Sequence, residues 1–583
     1  MQPASADGND KKSTALKRYG PIIGLVAAVG IGVGAVVLSS GDDKKTSGST
    51  QSTAPGGSTA GTSGASTLGT APSSGPVTYP LSFAQAKAKG ITVDWGARCD
   101  TKTGKVAVPD FFAADCYASF KGDNGGATTN GVTKDEITIV YYQGIADDPI
   151  IAYITAAVKV TDTNAQQAET MKNMVAYFEK FYETYGRKVK LVPFVGSGLA
   201  NDETAARADA VRIAKDIKPF MVWGGPALTA AFADELAANK VMCLACTPGQ
   251  PLDFYVQRDP YVWGIGSSSE QAQTHVLEMI KKELVGKNAT HAGDQFVNSP
   301  RKFGSLYIET GATSKTLNER FAKGMADAGA PLAETVSYVL DPGTIQQNAS
   351  QAIAKFKAAG VTTVVLDTDP IAPREFTNEA TAQGYFPEWL IGVSALVDLN
   401  AFGRTYDQTQ WKHAFGYTSL AARVTPEISG YFALHKWFTG KEPPAKDTIA
   451  LIAPDPAVFY TVLQGVGPNL TPESWKAALF AGTPTQSAIS QPSLSWGDKG
   501  IWPGTDYQGI DDATMIWWDP SAKGPDEIRK QGQGMYQFVD GGKRYLPGAW
   551  PTTDKFFDPT RAVSLYATAP PGETPPSYPS PGG

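Results

Sequence analysis

The residues best placed to do chemistry sit where apolar runs break. Phe220-Met221-Val222-Trp223 stops at Gly224-Gly225-Pro226, and a helix-forming segment begins at Leu228. A strand that feeds a helix through two glycines lets the backbone approach a ligand closely, and the unpaired N–H groups of the new helix face that ligand with partial positive charge. The same residues also make an ordinary tight turn. Cys243-Leu244-Ala245-Cys246 has two readings as well. It is either a pair of small buried residues at a strand end or a bridge, and the bridge requires that the chain has already turned, because extended residues three apart are too distant. A zinc site needs a second ligand pair, and His275, His291, His413 and His435 are scattered, so neither a metal nor a cofactor is expected. The sequence contains no GxSxG elbow, P-loop or HExxH, no GxGxxG between a strand and a helix outside its apolar leader, and no histidine at a strand end. An enzyme is not expected.

The elements that must position these turns follow a regular rhythm. Strands are expected at Ile137–Tyr142, Val189–Val195, Phe220–Trp223 and Val241–Ala245, with helices at Gln167–Tyr185, Glu203–Ile217 and Leu228–Asn239. After an irregular stretch from Thr247 to Val262 the rhythm restarts, with strands at Gly304–Ile308, Thr335–Leu340, Thr362–Leu366 and Trp389–Val393. Helices Ser268–Leu284, Ser314–Ala328, Ile345–Ala359 and Pro373–Gln383 alternate with them, three of them stopped by Gly329, Gly360 and Gly384. The strands are continuously apolar, which implies parallel sheets covered on both faces. Later helices at Pro426–Phe438, Pro456–Gln464 and Pro472–Phe480 must return to one of the sheets, and Leu494–Trp496 and Thr514–Trp518 read as strands of the second lobe. The fold class is therefore α/β, two doubly wound lobes joined by hinge crossovers.

The chain has 583 residues, 42% apolar and 19% charged, with a net charge of −6 and no cationic stripe, so nucleic acid is not an expected partner. Lys11, Lys12, Lys17 and Arg18 precede an apolar run from Pro21 to Leu38. That is an export signal at the lower edge of spanning length, with the body placed outside the membrane. A cleaved signal and a retained anchor are both open; the poor Val37/Ser39 cleavage pair favours the anchor, and no cysteine is placed for a lipid. Gly30 and Gly34 form a GxxxG in this run. The expected organisation is a stub and anchor over 1–43, a flexible Ser/Thr/Gly/Pro tether over 44–76 and an irregular extension over 77–135. Lobe 1 is expected over 136–262 plus 419–485, lobe 2 over 263–418 plus 486–546, and a Pro-rich, disordered tail at the C-terminal end of 547–583. Cys99 and Cys116 bracket a short loop in the extension and are expected to be bridged.

The chain order, Gly224-Gly225-Pro226, Thr247-Pro248-Gly249 after the fourth strand, and Leu470-Thr471-Pro472-Glu473-Ser474-Trp475 before the last strands together resemble a known family. It is the extracytoplasmic solute-binding proteins of ABC transporters, branched-chain amino acid and amide class, with the type I periplasmic binding fold. The resemblance covers roughly 137–518. It implies capture of a small amino acid, amide or small carboxylate between the lobes, delivery to an ABC transporter permease, and a ligand carboxylate or carbonyl near Gly225. It also implies first-lobe contacts from Gln143, Gly144, Gly224, Gly225, Pro226 and Thr247, and second-lobe contacts from Glu309, Thr310, Asp367 and Asp369. Asp369 precedes Pro370 and also reads as a helix cap. Cys246 stands where the family more often has a small polar residue. A membrane-anchored ligand-sensing ectodomain of the same fold is the alternative.

Overall fold

The computed structural model describes residues 77–247 and 249–582. The apolar run 21–38 with Gly30 and Gly34, and the tether 44–76, lie outside the described residues.

The first lobe is built on parallel strands β1 (Glu136–Gln143), β2 (Lys188–Val195), β3 (Met221–Trp223), β4 (Met242–Leu244) and β5 (Val262–Trp263), in the order β2-β1-β3-β4-β5. The second contains β6 (Phe303–Ile308), β7 (Glu334–Tyr338), β8 (Thr363–Asp367), β9 (Glu388–Ile391) and β10 (Ala414–Thr418), parallel in the order β7-β6-β8-β9-β10. Two antiparallel strands, β11 (Thr514–Pro525) and β12 (Gln531–Phe538), extend it beyond β10. Each parallel set thus has the same doubly wound order, with a crevice at the carboxyl ends of its strands. The two-lobed α/β architecture read from the sequence is the one observed.

Helices cover both faces of each sheet because their sequences carry one apolar stripe. In the second lobe, Ile345, Ala349, Ile353 and Phe356 of the Ile345–Ala358 helix join one core, while Val276, Met279 and Ile280 of the Ser269–Met279 helix and its continuation join the other. Ser268 caps the latter helix and forms a capping box with Gln271. Ile449–Val466 has the length and hydropathy of a membrane span, but its residues are mostly buried in the first-lobe core.

Core membership locates the crossings. The chain leaves the first lobe between Ile265 and Ala272, returns between Ala422 and Tyr431, and leaves again between Ile510 and Ala513. The last crossing lies later than the sequence boundary at 485/486. Leu494 and Trp496 are not second-lobe strand residues; they are buried in the first-lobe core, and the Trp496 indole donates to the Gly264 carbonyl at 3.0 Å.

Two further elements depart from the sequence reading. A helix at Pro149–Val158, capped by Asp148, bridges the lobes: Ile151 packs with Ala200 on the first, Ile154 and Val158 on the core of the second. The tail is ordered from 567 to 582. Glu573 accepts from the amides of Ile489 and Ser490, and Tyr578 is held by Trp437 and Asp100. Proline content limited its self-pairing but not its docking. Both cystines are formed, Cys99–Cys116 and Cys243–Cys246. The second is possible because Ala245, at φ 57°, has already turned the chain past the end of β4.

β9 is pinned at its start by a buried ion pair. Glu388 accepts from Arg301 at 2.8 and 2.9 Å, and also from the Thr363 hydroxyl, with both charged side chains at most 1% exposed. Removing one partner leaves the other charge buried. Glu388→Gln is expected to lower the unfolding free energy of the second lobe by about 3–5 kcal/mol in denaturant titrations; a loss under about 1 kcal/mol would show the pair to be dispensable.

Candidate functional site

The carboxyl edges of the two parallel sheets face one another across a cleft with two connected chambers. An inner chamber of about 240 Å³ lies against the hinge. All three crossings line it, through Gly264–Ser267, Ser419 with Leu420, and Gln508 with Ile510. An outer chamber of about 340 Å³ lies under the Pro149–Val158 helix and has mixed walls, in which Ile151, Ile154, Leu228, Ile308 and Leu340 stand beside Glu203 and several threonines. Thr247, Gly249, Ser269, Asp367, Ala395 and Leu396 border both.

Local sequence explains how these side chains are presented. Ala245 and Leu396 are non-glycine residues held at φ 57° and 60°, a conformation that costs free energy and persists where surrounding packing enforces it. Thr247 is nearly buried, and its carbonyl accepts from the Tyr255 hydroxyl at 2.8 Å. Ser394 joins two strand ends: its hydroxyl donates to the Leu366 carbonyl at 2.9 Å and accepts from the Thr368 amide at 3.2 Å.

The acids differ in state. Asp367, at the end of β8, has no hydrogen-bond or ion-pair partner among the described residues, and burial alone pushes its carboxyl up to about 7. Asp369 is raised by burial too, against the opposing pull of its hydrogen bonds. It accepts from the Tyr338 hydroxyl and from the amides of Ile371 and Ala372, so it caps the Ala372–Ala382 helix. Asp398, in the loop after β9, accepts from the Thr418 hydroxyl and is pushed by burial up to about 6.

Of the residues singled out in the sequence, Thr247, Thr310, Asp367 and Asp369 border the cleft. The others do not border either chamber. The Gln143 amide donates to the Asn164 carbonyl at 2.8 Å, and the Asn164 amide donates to the Gly144 carbonyl at 3.0 Å, so both residues serve a loop. The Gly224 amide donates to the Leu244 carbonyl at 3.1 Å, and Gly225 packs against the chain after β4, where a Cβ would lie 2.5 Å from the Cys246 carbonyl oxygen. The glycine there admits a neighbouring segment, and the residues reaching the outer chamber are Ala227 to Ala230. Glu309 is paired with Lys315 at 2.9 Å on the rim, and the lysine hydrogen bond holds its carboxyl below the ordinary value. The sequence reading missed Asp398, Ser267, Ser394, Tyr417 and Gln508. None of them had a local signal: Asp398, seven residues past the end of β9, reads as a solvated loop acid.

No family model matches the sequence, and no curated protein does either. Three solved structures have similar chains, and two of them are solute- or substrate-binding proteins of ABC transporters. A Rhodopseudomonas palustris protein in complex with 4-hydroxybenzoate is 14% identical, over 69% of this chain and 97% of that one, with a TM-score of 0.46. A Brucella ovis leucine-, isoleucine-, valine-, threonine- and alanine-binding protein in a closed conformation is 12% identical, over 74% and 100%, at 0.48. A Desulfitobacterium hafniense protein in complex with Leu is 11% identical, over 71% and 100%, at 0.42.

The two neighbouring acids should respond oppositely to substitution. Asp369→Ala removes a cap and is expected to cost about 0.5–2 kcal/mol. Asp367 keeps a proton that the unfolded chain has lost between its ordinary value and about 7, so the native state loses stability as pH rises through that window. Asp367→Asn removes this loss and is expected to raise unligated stability at pH 8 by on the order of 1 kcal/mol, the gain fading toward pH 4. Melting curves of both variants at pH 5 and 8 check this; a destabilised Asp367→Asn at pH 8 contradicts it.

Proposed function

We propose that this chain is an extracytoplasmic solute-binding protein, which takes a small amino acid-like or amide solute between its lobes and delivers it to an ABC transporter permease. The observation that supports this reading is the cleft itself. Two parallel sheets present their carboxyl edges to one space, where α/β folds place ligands, and its mixed polar and apolar lining carries an unpaired carboxylate. Thr247 and Thr310 supply hydroxyls from opposite lobes, and Asp367 supplies the charge. The role asked of these residues is binding, and no nucleophile–base pair is invoked. Residues 21–38 hold the body at the outer face of the membrane in this reading.

A thermal-shift screen of residues 77–583 against amino acids, amides and small carboxylates tests it. A bound solute at a hundred times its dissociation constant adds about 2.7 kcal/mol to stability. At least one compound is expected to raise the melting temperature, and Asp367→Asn is expected to weaken a cationic one by more than about tenfold, roughly 1.4 kcal/mol. A flat response across all three classes removes the proposal.

A further inference from the structure

The inner chamber is rich in hydrogen-bond acceptors. The Ser267 hydroxyl donates to the Ile510 carbonyl at 3.3 Å, Ser394 to the Leu366 carbonyl at 2.9 Å, and Ser269 to the Gly249 carbonyl. With their protons engaged by the backbone, these oxygens offer lone pairs to whatever fills the chamber. Asp398 and Asp367 add two carboxylates.

Positive charge is missing from the walls. Among the described residues, none bordering either chamber is Lys, Arg or His. The charged side chain that acts on Asp398 is Glu527, an acid, and the titratable groups Asp398 itself acts on are Tyr406, Tyr417 and Tyr536, so no cation is among them. Arg544 lies behind the 419–420 backbone, where it donates to the Ser419 and Leu420 carbonyls at 2.8 and 2.7 Å and pairs with Asp512 at 2.9 Å. Buried carboxylates are normally matched by a cation or by several donors. Asp398 and Asp367 are half-buried, and the described residues leave Asp398 with the Thr418 hydroxyl as its side-chain donor and Asp367 with none.

We infer that the inner chamber is a subsite for a protonated amine built on Asp398, so that the cleft selects a small organic solute of net positive charge whose inner end carries no carboxylate. This inference rests on the solute-binding reading above and narrows it. An ammonium offers three donors and no acceptor, which suits the serine oxygens and the two carboxylates, and the unpaired Gln508 amide nitrogen is left for a neutral carbonyl. A carboxylate at the same place meets two like charges. A neutral zwitterion leaves one of the two acids uncompensated. The outer chamber receives the carbon skeleton against Ile151, Ile154, Leu228, Ile308 and Leu340, and Asp367, bordering both chambers, meets a second amine where the solute has one.

Calorimetric titration of the wild-type protein at pH 8 with matched compounds tests the inference. Leucinamide is compared with leucine, 1,5-diaminopentane with 5-aminopentanoate, and 4-hydroxybenzoate serves as the anion. The amine lacking a carboxylate is expected to bind at least tenfold tighter in each pair. Asp398→Asn, which keeps an oxygen for Thr418, is expected to weaken that amine at least tenfold. Amine binding to the wild type at pH 6, compared in two buffers of different ionisation enthalpy, is expected to release protons. That readout needs no variant and decides the matter if Asp398→Asn does not fold. Leucine or 4-hydroxybenzoate binding as tightly as the amines, or an unchanged affinity in a folded Asp398→Asn, overturns the amine subsite and leaves solute binding standing. A protein that binds none of the five compounds overturns the subsite, while the wider screen above still judges solute binding.

Discussion

The first and third crossings are packed backbone against backbone, and the relation between the lobes depends on that contact. The Gly264 amide donates to the Tyr507 carbonyl at 2.9 Å, and the Gly509 amide to the Gly266 carbonyl at 3.0 Å. A Cβ on Gly264 would stand 1.9 Å from the Gln508 side-chain oxygen, and one on Gly509 would stand 2.4 Å from the Ile265 carbonyl. Any side chain there forces the strands of the hinge apart. Because they stay together, two independently wound sheets are held with their carboxyl edges toward one gap. The inner chamber is the space left beside this junction.

Several buried acids of the chain are matched, Glu388 by Arg301, Asp512 by Arg544, and Asp369 by a hydroxyl and two backbone amides, while Glu283 is buried with neither carboxyl oxygen paired. Asp367 is left without such a match, between strand ends where backbone strain at Ala245 and Leu396 also collects. Unmatched charge and left-handed backbone thus meet in one wall of the cleft, and the turn at Ala245 is also what lets Cys243 reach Cys246.

The repeating strand and helix pattern was readable because each element answers to a local rule: continuous apolar strands, one-sided helices, glycine stops. What escaped was set by distant contacts. The Pro149–Val158 helix carries apolar residues on its exposed face too, with Ala152 and Ala156 there, so its sequence hides the period by which Ile151, Ile154, Thr155 and Val158 are buried. β12 carries Gly532 and Gly534 inside its span, and Gly534 makes room for Trp518 from the neighbouring strand. Leu494–Trp496 alternates like a strand, yet that alternation serves burial in the first lobe. At the site, Asp367 and Thr247 were legible as residues just past strand ends. The glycine pair after β3 was legible as a close approach, but the partner it approaches is Cys246 and not the cleft. Asp398 lies seven residues beyond the end of β9, where no local pattern distinguishes it from a solvated loop acid.

The tail completes the mechanical picture. Val563 pairs with Phe538 on the second lobe, Tyr566 pairs with Val424 in the second crossing, and Tyr578 and Ser580 are fastened to Trp437 on the first. It is therefore a non-covalent link between the lobes, running beside the covalent crossing at 422–431. On the other side of the gap the Pro149–Val158 helix touches both lobes through side-chain packing and through hydrogen bonds from Arg374 to Tyr153 and from Lys530 to the Val158 carbonyl. Separating the lobes at the helix breaks a few contacts of that kind; separating them at the crossings breaks backbone ladders and the docked tail. The two sides thus differ in what holds them, and the outer chamber, under the helix, lies on the side where fewer bonds must part for a solute to enter.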